Sequence, residues 1–127
     1  MRELLVALLL AGIVAGCASG PPRIAAGTPC ARCGMGVAEL RFACESRRDG
    51  AWRTFDSIEC LIDDRKPGEP AWLTDYDTRT LHPADSMWVV HGSFPSPMGG
   101  GYAAFLDAAA ARDVAARTQG TVARLGT

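Results

Sequence analysis

Two thiols and a thioether fall within six residues, Cys30-Ala31-Arg32-Cys33-Gly34-Met35. The glycines at 34 and 36 keep this stretch from starting a helix, so it reads as a loop. Soft sulfur donors crowded on one loop select soft ions, Cu(I) above all, and the hard oxygen ligands suited to Mg²⁺ or Ca²⁺ are missing from it. A thiolate is a strong ligand that can be oxidised, whereas a thioether stays neutral and forms no disulfide. The mixture therefore makes a usable site outside the cytoplasm. Arg32 is expected to favour the thiolate form of its neighbours. A second methionine, Met98, sits in Ser96-Pro97-Met98-Gly99-Gly100-Gly101, among residues that fix or free the backbone. It is either an exposed donor or a filler side chain before the next element. His91, close to that loop in sequence, is either a further nitrogen donor or the end of a strand. Cys44 and Cys60 read as small buried hydrophobes, or as partners in a structural disulfide if the fold brings them together.

The beginning of the chain has a different character. Leu4 to Val14 is a nearly unbroken apolar run after Met1-Arg2-Glu3, too short to span a bilayer as a mature helix, and it leads into Val14-Ala15-Gly16-Cys17. This resembles the lipobox of bacterial lipoproteins. It implies a signal peptide over residues 1–16 and a lipidated Cys17 that holds the mature protein to a membrane without a transmembrane helix. Residues 18–28 are small and rich in proline and glycine, and read as a flexible tether, with the folded domain over 29–127. What remains, roughly 110 residues, suffices for one compact domain. Basic and acidic residues number 13 and 14 and form no block of one sign, so there is no electrostatic footprint for nucleic acid.

The elements that must position the sulfur donors follow from local patterns. Val37 to Glu45 is loosely strand-like, Arg47-Arg48-Asp49-Gly50 supplies a turn, and Ala51 to Phe55 returns, which predicts a β-hairpin. Asp56 with Glu59 three residues later predicts the capped start of a short helix through Ile58, Cys60, Leu61 and Ile62, ended at Lys66-Pro67-Gly68. Ala71–Thr74 and Met87–His91 read as strands separated by a polar stretch. Tyr102 to Arg117, dense in alanine, reads as the longest helix, stopped by Gln119-Gly120, with a last strand over Thr121 to Leu125. The tryptophans at 52, 72 and 88 read as core aromatics. The expected fold is a small single α+β domain, an antiparallel sheet carrying one short and one longer helix.

Three motifs, Cys30-Ala31-Arg32-Cys33-Gly34-Met35, Phe55-Asp56-Ser57-Ile58-Glu59-Cys60 and Pro97-Met98-Gly99-Gly100-Gly101-Tyr102-Ala103-Ala104-Phe105, occur in this order. Together they resemble the NosL family of copper-binding accessory lipoproteins for nitrous oxide reductase. The resemblance runs from about Pro29 to Gly120 and implies a Cu(I) chaperone, not an enzyme, on the periplasmic face of a bacterial membrane. Its implied partners are nitrous oxide reductase or the membrane-bound maturation proteins of that enzyme, and a homodimer sharing a site is a further candidate. Carried across by position, it implies Cys33, Met35 and Met98 as metal ligands and matches Cys30 to the motif's first cysteine, as a ligand or a redox partner of Cys33, while His91 remains a candidate only through its nearness to the Met98 loop. Two other readings compete. Cys30 and Cys33 have the spacing of a thiol-disulfide oxidoreductase, although no helix start follows them. Cys30, Cys33, Cys44 and Cys60 are also enough for a structural zinc module, although only one pair has knuckle spacing. Conventional catalysis has little to work with, since there is neither a nucleophile elbow nor a phosphate loop.

Overall fold

The computed structural model describes residues 20–126. Cys17 and the apolar start of the chain therefore lie outside the described residues, and so does the final Thr127. The described residues form seven strands and two α-helices: β1 (Cys44–Arg48), β2 (Ala51–Phe55), α1 (Ile58–Asp64), β3 (Ala71–Thr74), β4 (Leu81–Pro83), β5 (Trp88–His91), β6 (Tyr102–Phe105), α2 (Ala108–Arg117) and β7 (Thr121–Ala123). The α+β class is as expected, but the strands divide into two antiparallel sheets, ordered β2-β1-β3-β4 and β6-β5-β7.

The hairpin β1–β2 closes on Asp49-Gly50, both at positive φ (51° and 79°), the two-residue turn whose twist matches that of the strands it joins. Cys44, Phe55 and Leu73 stand opposite one another across β1, β2 and β3, and all three are fully buried. They pack with Ile58, Cys60 and Leu61 of α1, with Met87 just before β5, and with Val89 and Ala104 of the second sheet. The other face of that sheet, Val90, Ala103 and Phe105, packs on Ala111 and Ala115 of α2. A three-stranded sheet covered on both faces explains why β5 reads as a continuous apolar run. Asp75 joins the two sheets. Its carboxylate accepts from the Leu106 N–H (2.9 Å) and from the Thr78 hydroxyl (2.7 Å), while the Tyr76 N–H donates to the Ala104 carbonyl.

The position of α1 is fixed at its far end by ions. Arg48 and Arg53 on the hairpin grip Asp64, the last residue of α1, at 3.2 and 2.8 Å, and Arg48 also pairs with Glu69 beyond it. Forked guanidinium–carboxylate pairs that are mostly shielded from solvent set geometry as well as energy.

Several local expectations are corrected. The first strand begins at Cys44, since Leu40–Phe42 before it winds into a 3₁₀ turn. The helix cap is Ser57, whose hydroxyl accepts from the Cys60 N–H at 3.3 Å, rather than Asp56. Tyr102–Phe105 is a strand that completes the second sheet, and α2 starts only after Asp107, whose carboxylate accepts from the Ala109 N–H. Alanine's helix preference is overridden there, because small side chains at 103 and 104 let both faces of β6 be covered. The polar stretch after Thr74 contains an unexpected edge strand, β4, in which Pro83 is tolerated because it lies at the sheet margin. The chain is already packed at Ile24, which is buried with Val37 and Ala43, several residues before the expected start of the domain. The three tryptophans are half-buried; Trp52 and Trp72 meet edge to face at 4.9 Å, and the Arg124 guanidinium lies 3.6 Å from the Trp88 ring centre.

Candidate metal centre

The Cys30 loop is built almost entirely by its own backbone. The Cys30 N–H donates to the Met35 carbonyl (2.8 Å) and the Gly34 N–H to the Cys30 carbonyl (2.9 Å), with a β-bridge between Pro29 and Gly36. Gly34 occupies the left-handed region at φ 77°, which a side chain would disfavour and which turns the loop back on itself. The Ala31 N–H donates to the Thr54 carbonyl (2.7 Å), so the loop is stitched to the end of β2 just before Asp56.

That placement brings four donor atoms together. The sulfurs of Cys30, Cys33 and Cys60 and a carboxylate oxygen of Asp56 all lie within 4.8 Å of one another. The Cys33 thiol donates to Asp56 Oδ1 at 3.7 Å. Cys30, Asp56 and Cys60 are buried, and Cys33 alone of the four is partly open to solvent. Because Ser57 takes the capping role, the Asp56 side chain is free to face the cysteines.

Burial raises the Cys33 thiol above its ordinary range; the Met35 N–H works against this, while Cys30 and Asp56 add to it. Burial likewise pushes the Cys60 thiol up to about 12, opposed by the Ser57 hydroxyl and reinforced by Cys30 and Asp56. These thiols are thus protonated when no cation is bound, and a soft cation is what would draw their protons off. The Arg32 guanidinium is engaged by Asp63 at 3.4 Å, and the expected lowering of the thiol beside it is not found. Cys44 stands outside the group, fully buried, with its thiol donating to the Ser57 carbonyl at 3.2 Å. Cys30, Cys33, Cys44 and Cys60 are all free, so Cys44 and Cys60 form no disulfide.

The thioethers occupy a different environment. Met35 and Met98 are 54% and 42% exposed, unusual for large apolar side chains. Met35 shares the loop of Cys30 and Cys33. Met98 lies on a turn in which the Gly99 N–H donates to the Ser96 carbonyl and the Gly101 N–H to the Ser96 hydroxyl. The root of this turn is tied to α1, since Glu59 Oε1 accepts from the Gly100 N–H at 2.9 Å, immediately before Cys60. Gly101 is needed there, because at φ 72° an added Cβ would fall 2.0 Å from the Gly92 carbonyl oxygen.

Of the residues singled out from sequence, Cys30 and Cys33 are therefore brought together, Met35 shares their loop, and Met98 lies on a separate turn tied to α1 through Glu59. His91 is placed elsewhere. Its ring stacks on Tyr102, 4.1 Å between centroids and 3° from parallel, at the wall of a cavity of about 350 Å³ that also involves Ile62, Lys66 and Leu125. Asp56 is not the helix cap the sequence predicts, and Cys60, buried in the core as expected, also lies within the donor group. The available signal was the pair Asp56-Ser57, in which the serine serves as the cap and leaves the carboxylate free.

No family model matches the chain, and no curated protein matches it. Among solved structures, it is similar to the copper chaperone NosL from Shewanella denitrificans, with a TM-score of 0.71 and 18% sequence identity over 84% of this chain and 92% of that one. A likeness at that identity and coverage is one of architecture, and it establishes that the chain has the fold of NosL.

Proposed function

We propose that this protein is a periplasmic Cu(I)-binding lipoprotein that serves as a copper chaperone for the maturation of nitrous oxide reductase. One observation carries the reading above the others. Three thiols converge, and the one of them that reaches the surface, Cys33, belongs to a loop bearing an exposed methionine, while the turn of a second exposed methionine, Met98, is tied by Glu59 to the helix that carries Cys60. Soft sulfur at a solvent boundary is the donor set that selects a monovalent soft ion. The NosL-like architecture and the order of the three sequence motifs support the same assignment.

In this reading the Cys33 thiolate is the anchoring ligand, and Met35 and Met98 complete a low-coordinate site. Neutral thioethers hold copper without adding charge, and their exposure lets an incoming ligand displace them one at a time. The protein carries its cargo without converting it. The recipients are nitrous oxide reductase or its membrane-bound maturation proteins, and lipidated Cys17 keeps the carrier at the membrane where these assemble. Thiol-disulfide exchange through Cys30 and Cys33 is a poorer fit. No helix starts at that pair, and the Cys33 thiol is raised where a reactive thiol needs to be lowered. Anaerobic Cu(I) competition titration tests the carrier. Cys33→Ser is expected to weaken binding by about 100-fold or more, beyond the 10- to 100-fold typical of outer-shell changes. Unchanged affinity in that variant would refute the assignment.

A further inference from the structure

The described chain begins on the outer face of the first sheet, the face turned away from α1. Side chains alternate across a strand, and the register puts Arg47, Trp52, Trp72, Thr74, Leu81 and Pro83 on that face. Ile24 packs there against Leu81, Val37 and Ala43, and Pro21 and Arg23 lie beside Leu40 and Arg79. Gly20 is three residues beyond Cys17, and a fully extended chain of that length spans at most about 11 Å. An acylated Cys17 would therefore hold this face next to the bilayer.

The composition of the face suits that position. Trp52 and Trp72 are half-buried against each other, edge to face at 4.9 Å, with the Arg47 guanidinium 5.3 Å from the Trp52 ring centre. Arg23, Arg47 and Arg79 are exposed and meet no carboxylate among the described residues, whereas Arg48 and Arg53 on the inner face are both committed to Asp64. Glu45, the acid of β1 on the outer face, is only 1% exposed, and Glu39 is paired with Arg41. Indole rings settle at the depth of lipid headgroups, and arginines without a protein partner are drawn to anionic lipid.

We propose that the outer face of the first sheet docks on the anionic surface of a phospholipid bilayer, with Trp52 and Trp72 at headgroup depth and Arg23, Arg47 and Arg79 on the phosphates. The inference rests on the lipidated Cys17 of the reading above; acyl chains and a protein face together hold more firmly than either alone. The helix α1, and the Met98 turn tied to it, lie on the other side of the sheet. Docking thus keeps Met98 clear of the bilayer and open to a recipient.

The tryptophans supply the test. Trp88 packs on the face of the second sheet that turns to α2, and it serves as the internal control. The full-length acylated protein is reconstituted into phosphatidylethanolamine–phosphatidylglycerol vesicles whose acyl chains are brominated next to the headgroups, since bromine quenches only indoles close to it. Trp88→Phe, which keeps Trp52 and Trp72, is expected to be quenched several-fold more than the Trp52→Phe, Trp72→Phe double variant, which keeps Trp88. If the double variant loses its circular dichroism, Trp88→Phe is compared with the parent instead, and its fractional quenching should be the greater. Arg23→Gln combined with Arg79→Gln should lower the quenching, as should phosphatidylcholine in place of phosphatidylglycerol. Quenching insensitive to both changes would overturn the assignment to an anionic surface. Equal quenching of the two tryptophan sets would overturn the choice of face. Protein that floats with the vesicles but is not quenched would refute docking, leave the anchor standing and give the face to a protein partner. Protein that does not float at all would refute the lipidated Cys17 and the docking with it.

Discussion

The Cys30 loop and the Met98 loop, which the proposed carrier site would share, are held in opposite ways. The first is fixed by backbone hydrogen bonds, within itself and to the edge of β2, and it buries the Cys30 sulfur while leaving Cys33 partly open and Met35 exposed. The second is held at its root by two side chains, Glu59 and Ser96, and carries its thioether outward on a glycine-rich turn. Backbone-to-backbone fastening next to a sheet resists opening, whereas a turn with few buried contacts opens at low cost. A carrier benefits from this division: one half keeps the ion, and the other can move aside when a recipient arrives.

The comparison can be broken or sharpened in graded steps. The largest effect on stability is expected from Gly101→Ala, which combines a left-handed backbone with a Cβ 2.0 Å from the Gly92 carbonyl oxygen. A loss of about 2–4 kcal/mol in urea unfolding is expected, as for strain at a special backbone position. Glu59→Ala comes next. It removes the acceptor of the Gly100 N–H, and a cost of about 1.5–3 kcal/mol is typical for a hydrogen bond to a charged group. In the same variant Cu(I) should leave faster, as seen by stopped-flow capture with a chelator, while the Cys30 loop keeps its amide protection. Equal loss of protection in both loops would erase the distinction between them. Met35→Leu and Met98→Leu should each shift stability by less than about 0.5 kcal/mol, as exposed positions do. Each should nonetheless weaken Cu(I) in competition assays.

The gentlest perturbation is pH. Glu45, opposite Thr54 in the hairpin that supports the Cys30 loop, has its carboxyl pushed up to about 7 by burial, against a hydrogen bond from Thr54. Its native pKa lies above the ordinary 4.5, so its contribution to stability is complete below that value and declines as pH rises through about 7. Asp75 is the reverse case. Burial opposes its charge, but the Leu106 and Thr78 donors and His82 outweigh it and hold the pKa below 3.8, so its contribution is present above 3.8 and is lost as acid protonates the carboxylate. Unfolding midpoints measured from pH 3 to 8 should show both slopes, and Glu45→Gln should flatten the one near neutrality alone.

The sequence made some of this legible and hid the rest for physical reasons. Asp49-Gly50 marks the hairpin because only certain residues accept its backbone, and Ser93 to Gly101 reads as irregular for the same reason. The Cys30-to-Met35 cluster is legible as a soft-donor loop because its residues are neighbours in sequence. Asp56 is hidden in the sequence, and Cys60 is not separable there from Cys44, because membership in the donor group depends on a contact across the fold, from the end of β2 and from α1 to the Cys30 loop. Tyr102-Ala103-Ala104-Phe105 reads as helix because local preference favours that structure, and burial on both faces of β5's partner imposes a strand instead. Of the two readings of His91, the end of a strand is the one found: it closes β5 and its ring stacks on Tyr102.

The most direct test of the central claim is X-ray absorption at the copper edge of the Cu(I)-loaded protein, compared with its Met98→Leu variant. A low-coordinate, all-sulfur shell combining one thiolate with longer thioether bonds, and losing a sulfur in the variant, is the predicted result. A shell of thiolates alone, identical in both proteins, would place copper among Cys30, Cys33 and Cys60 and contradict the outward-facing carrier site.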